Sequence, residues 1–204
     1  MISWQNSSIS SQNFPDNTIM YQTINPSEKP YKIYMKILFA IAPDRFLDQE
    51  YTVPKTAFEE KGIECITAST IHGTCYGMHG EIVESDLSFD DVNPTDYEGI
   101  VIIGGIGCQD YLWRCEKLID ITNTIGNAGK LTAAICLAPV VIAEAGLLAG
   151  KNTTALDTPA SRRILELDKA VLINDPVVIS GNIITARMPQ DAKAFADTIL
   201  HHLA

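Results

Sequence analysis

Residues 131–139 read LTAAICLAP, and the change of pattern inside this stretch decides the fold. The first five positions are apolar or small almost without a break, which suits a parallel strand covered on both faces rather than a half-exposed one. Pro139 then fits the first turn of a helix. A strand therefore gives way to a helix at one residue, Cys136. Outward from here the same alternation recurs. Strands are predicted at 36–42, 63–68, 99–103, 131–135, 170–173, 176–180 and 183–186. Helices are predicted at 48–61, 110–127, 139–147, 158–167 and 189–203. Gly181-Asn182 reads as a two-residue hairpin turn. Strands alternating with helices predict a doubly wound α/β sandwich, with a mostly parallel central sheet and helices on both faces. Ligands in such sheets collect beyond the carboxyl ends of the strands, so the residues after 42, 103 and 135 are the place to look.

Residues 1–34 are set apart by Ser, Asn, Gln and Pro and by apolar residues without either period, and they read as a polar N-terminal extension. Residues 35–204 form the domain. The 204 residues hold 25 acidic against 15 basic side chains, a net charge of −10, which disfavours nucleic acid and anionic membrane surfaces as partners. No apolar run approaches the roughly 18 residues of a membrane span. The five cysteines are unevenly spaced and odd in number, unlike a disulfide framework, and the expected location is cytoplasmic.

Three strand ends bear chemistry. Cys136 sits at a strand-to-helix bend, where a side chain is exposed and the helix start favours thiolate. A buried inert cysteine is the other reading of the same position. Gly104-Gly105 follows 99–103 and reads either as a tight turn or as half of an oxyanion hole, completed by the N–H after Cys136. After 36–42 come Asp44, Asp48 and Glu50. Asp44 and Asp48 read as the solvated acids of a helix start.

Together these motifs resemble the DJ-1/PfpI superfamily over essentially all of 35–204. AICLAP at 134–139 is similar to that family's nucleophile-cysteine turn. FLDQEYTVPKTAFEEKG at 46–62 is similar to its first helix, with the acid four before a proline falling on Glu50. GMHGEIVESDLSFDDVNPTDYEGIVIIGG at 77–105 resembles the PfpI branch, and GKNTTALD at 150–157 and TARMPQDAKAF at 185–195 complete the series. The resemblance implies a flavodoxin-like sandwich that forms a homo-oligomer, a dimer or a hexamer. It implies Cys136 as nucleophile, Glu50 as acid/base, and Gly105 and Leu137 as sources of backbone N–H groups.

Two departures bear on activity. Peptidase members place His after the cysteine, where this chain has Leu137, and their acidic orienter of that His appears here as Gln109. Leucine neither accepts nor returns a proton, so a Cys-His peptidase or amidase ranks last. The leading expectation is an enzyme of the glyoxalase III or deglycase kind, acting on a small-molecule carbonyl without a cofactor. The alternative is a redox-responsive protein or chaperone working through oxidation of Cys136. Cys108 is a candidate resolving thiol for it, beside its plain reading as a loop cysteine. Cys65, His72, Cys75 and His79 bunch in sequence without a zinc-site spacing, and no metal is expected.

Overall fold

The computed structural model describes residues 35–204; the extension assigned to 1–34 lies outside the described residues. In chain order the elements are β1 (Lys36–Ala40), β2 (Asp44–Phe46), α1 (Asp48–Glu60), β3 (Glu64–Ser69), β4 (Thr74–Gly77), β5 (Ile82–Glu84), β6 (Leu87–Ser88) and β7 (Gly99–Ile102). There follow α2 (Glu116–Asn127), β8 (Leu131–Ile135), α3 (Pro139–Glu144), β9 (Asn152–Thr153), α4 (Pro159–Leu167), β10 (Val171–Leu172), β11 (Val177–Ser180), β12 (Ile183–Ala186) and α5 (Ala192–Leu203).

The unbroken apolar runs become the middle of a seven-stranded sheet ordered β11-β12-β8-β7-β1-β3-β6. Every residue of β7, β8 and β12 is buried. All neighbours pair in parallel except β11, which meets β12 antiparallel through the Gly181-Asn182 turn. The chain runs from β1 outward to β3, then returns to β7 and proceeds the other way to β8 and β12. Right-handed crossovers in opposite directions place their helices on opposite faces. Thus α1 packs with α5, while α3 packs with both α2 and α4. This is the flavodoxin-like arrangement, and its reversal lies between β1 and β7.

The helix α1 is held by a stripe of buried residues, Glu50, Tyr51, Pro54 and Phe58, at helical spacing. Phe39 of β1 meets the rings of Tyr51 and Phe58 edge-on at 6.0 and 5.6 Å, and the Tyr51 hydroxyl bonds Thr67 Oγ1 at 2.8 Å. Glu50 shares this inward stripe, so the packing that docks the helix also buries the carboxyl.

Several boundaries differ from the sequence expectation. The helix expected over 110–127 is two pieces, a π-helical turn at Cys108–Leu112 and then α2. Arg114 breaks the run with a left-handed φ of 61°. The strand expected over 36–42 ends at Ala40, and the helix expected over 139–147 ends at Glu144. A small second sheet, β2-β4-β5, was not anticipated, its strands being only three or four residues long.

Candidate active site

Three strand ends meet at the switch point. Cys136 follows β8 with φ of 65°, a left-handed conformation that costs a residue with a Cβ about 1–3 kcal/mol and must be imposed by its surroundings. Two backbone bonds impose it: the Cys136 N–H donates to the Ala186 carbonyl at 2.9 Å, and its carbonyl accepts from the Leu156 N–H at 2.8 Å.

Glu50 enters from α1 with its side chain fully buried. Its Oε2 accepts the Gly104 N–H at 2.9 Å, while Oε1 is buried without an aligned hydrogen bond. Glycine at 104 is required by this convergence. A Cβ there would lie 2.7 Å from Glu50 Oε2 and 2.8 Å from the Cys136 Cβ. At Gly105, with φ 96°, a Cβ would likewise lie 2.6 Å from both the Arg45 carbonyl oxygen and the Leu47 nitrogen. Carboxyl and thiol are near enough for each to move the other's titration. A loose resting alignment is common where a catalytic bond tightens on substrate.

Burial raises the Glu50 carboxyl to about 8, against the opposing pull of Cys136 and the Gly104 N–H. Burial likewise pushes the Cys136 thiol up, the Glu50 charge adds to this, and the N–H groups of Gly105 and Leu137 pull it back. This corrects the expectation of an exposed thiol acidified by its bend. Cys136 is only 4% exposed, and α3 behind it is a mere six residues long. At neutral pH the resting pair therefore holds both protons.

The remaining candidates fall into place around the pair. Leu137 is buried, and its carbonyl accepts the Trp113 indole N–H at 3.0 Å. Gln109 is exposed. Cys108 is fully buried, and burial first, then Cys136 and Glu50, keeps its thiol protonated well above the ordinary range. All five cysteines are free thiols. Asp48 is not a merely solvated acid: its carboxylate accepts the N–H groups of His79 and Glu81 at 2.9 and 2.8 Å, fastening the turn between β4 and β5 to the start of α1. Asp44 pairs with Arg45 at the surface. Among the described residues no three His, Cys, Asp or Glu side chains gather in a metal-binding group, and no helix is long and apolar enough to cross a membrane. Trp113 escaped the sequence reading, because nothing in its neighbours announces that its indole crosses to another strand end.

Comparison with known proteins agrees with this fold. The DJ-1/PfpI family model matches residues 35–202. The uncharacterized protein MJ0967 of Methanocaldococcus jannaschii is 44% identical, over 81% of this chain and 80% of its own length. Deglycase PH1704 of Pyrococcus horikoshii is 33% identical, over 79% of this chain and 95% of its own. YraA of Bacillus subtilis, 32% identical, carries a cysteine protease name. The crystal structure of a ThiJ/PfpI domain protein from Brachyspira murdochii superposes with a TM-score of 0.77 at 32% identity, over 83% of this chain and 97% of the other. The chain belongs to the DJ-1/PfpI family.

Proposed function

We propose that the protein is an enzyme of small reactive carbonyls, of the glyoxalase III or deglycase kind, with Cys136 as nucleophile and Glu50 as acid and base. The observation that supports this most is the meeting of Cys136 and a fully buried, proton-retaining Glu50 on one glycine. The deglycase name of a relative covering most of the chain points the same way. Titrations coupled this closely belong to the pair. In this reading the thiolate forms with Glu50 still protonated, its charge steadied by the Gly105 and Leu137 N–H groups and by the carboxyl O–H.

With methylglyoxal the steps balance without any external oxidant. The thiolate bonds to the aldehyde carbon, and Glu50 gives its proton to the carbonyl oxygen, leaving a hemithioacetal. The Glu50 carboxylate then removes the hydrogen on that carbon, leaving an enediolate, and returns it as a proton to the neighbouring carbon, while the hydroxyl proton passes from the first oxygen to the second, giving a hydroxy thioester. Water, deprotonated by Glu50, breaks the C–S bond and releases lactate. One carbon is oxidised by two electrons and its neighbour is reduced by two. No histidine enters any step, consistent with Leu137 beside the nucleophile. A peptidase would need a group to protonate a leaving amine, and neither Leu137 nor the exposed Gln109 supplies one.

The test is lactate formation from methylglyoxal by the wild type, Cys136→Ala and Glu50→Gln. The expected result is production by the wild type, reduced at least about a hundredfold in either variant. Equal rates in the three proteins would remove the reading.

A further inference from the structure

The two N–H groups that pull the Cys136 thiol down belong to different strand ends, Gly105 after β7 and Leu137 after β8. Nothing in the covalent chain fixes their separation, since they stand 32 positions apart in sequence. A line of hydrogen bonds does. The Cys108 N–H donates to the Gly105 carbonyl at 3.1 Å, opening the π-helical turn. The Trp113 N–H closes that turn on the Cys108 carbonyl at 3.0 Å. From the end of the turn the buried Trp113 indole N–H crosses to the Leu137 carbonyl at 3.0 Å.

The link is specific in what it holds. The Cys136 carbonyl is already bound by Leu156, which orients the peptide plane bearing the Leu137 N–H. Trp113 holds the next plane, so the turn after Cys136 is gripped on both sides. Of the contacts gripping it, the indole is the one that comes from a side chain. We infer that Trp113 is a positioning residue, setting the spacing of the Gly105 and Leu137 donors around the Cys136 sulfur by tying one strand end to the other. This deepens the proposed function and rests on Cys136 being its nucleophile.

The test follows alkylation of Cys136 by iodoacetamide as a function of pH, resolved by peptide mass spectrometry so that Cys65 and Cys115 report separately. Trp113→Phe keeps an aromatic ring and loses the N–H. A second form, bearing benzothienylalanine at 113, keeps the bicyclic shape and replaces N–H by sulfur, and it serves if the phenylalanine variant does not fold. The expected result is a higher pH midpoint for Cys136 and a rate at pH 7 lower by roughly fivefold, the scale of one lost hydrogen bond, with Cys65 and Cys115 unchanged. A loss of packing alone would speed alkylation and leave the midpoint where it was. An unchanged midpoint, or faster alkylation, in the folded variant overturns the inference while leaving the nucleophile intact. Wild-type Cys136 reacting no faster than Cys65 and Cys115 at any pH would bring down both.

Discussion

The Gly104 N–H donates to Glu50 Oε2 at 2.9 Å, joining the end of β7 to the first turn of α1 with the Cys136 Cβ packed against the same glycine. Three separate segments thus define the position of one carboxyl. The most local way to disturb it is to add a methyl group at 104.

Gly104→Ala would set that methyl group 2.7 Å from Oε2 and 2.8 Å from both the Cys136 Cβ and the Ile135 carbonyl, none of which can retreat far. The expected cost is about 1–3 kcal/mol in urea unfolding, together with loss of lactate formation. Wild-type turnover in this variant would mean that carboxyl and thiol need not meet at this glycine.

Glu50 makes stability depend on pH in a direction opposite to that of a salt-bridged acid. Its ordinary value is 4.5 and its folded value is raised to about 8 by burial. The stability it contributes is fully present below 4.5 and is lost as pH rises from there to about 8, because only the unfolded chain ionises freely in that window. Glu50→Gln keeps the shape and cannot ionise. Its stability relative to the wild type should therefore grow between pH 5 and pH 8, on the order of a few kcal/mol, as read by urea unfolding at the two pH values. A constant difference would show that Glu50 is ionised in the folded protein.

The position of α1 depends on its aromatic stripe. Phe58 is fully buried against Phe39, and Phe58→Ala should cost about 3–5 kcal/mol in chemical denaturation. Because the same helix presents Glu50, turnover should fall in the fraction that remains folded. Full specific activity would show that Glu50 is held without help from the stripe.

Asp48 offers a control at the same helix start. Asp48→Ala removes the acceptor for the His79 and Glu81 N–H groups, and a loss of about 1–3 kcal/mol is expected in thermal or urea unfolding. The pH midpoint of Cys136 alkylation should stay at the wild-type value, since this carboxylate faces the β4–β5 turn. A moved midpoint would make Asp48 part of the reacting group.

Much of this architecture is legible in the amino-acid order, because buried parallel strands must be apolar at successive positions. LTAAI and GIVI become β8 and β7, and Cys136, the residue just after LTAAI, stands at the bend. What escapes the reading depends on tertiary paths. Arg114 takes a left-handed φ and splits a helix that apolar spacing alone would continue. The strands β4 and β5 are too short to show a period. The bend at Cys136 is recognisable, yet its burial is not, since the loop presenting Leu156 and the π-helical turn before Trp113 arrive from distant sequence. The same holds for Asp48, whose two donors lie some thirty residues away.

The central claim is that Glu50 lends Cys136 a proton-bearing partner, and the pH dependence of Cys136 alkylation in the wild type and in Glu50→Leu tests it most directly. Leucine keeps the site filled and apolar but has no O–H to offer the sulfur. In the wild type the thiol should ionise while Glu50 still holds its proton and hydrogen-bonds the sulfur. A protonated carboxyl donates its O–H to the thiolate, unlike the ionised one that repels it, so the midpoint in Glu50→Leu should stand at least about one unit higher. Identical midpoints in the two proteins would contradict the account.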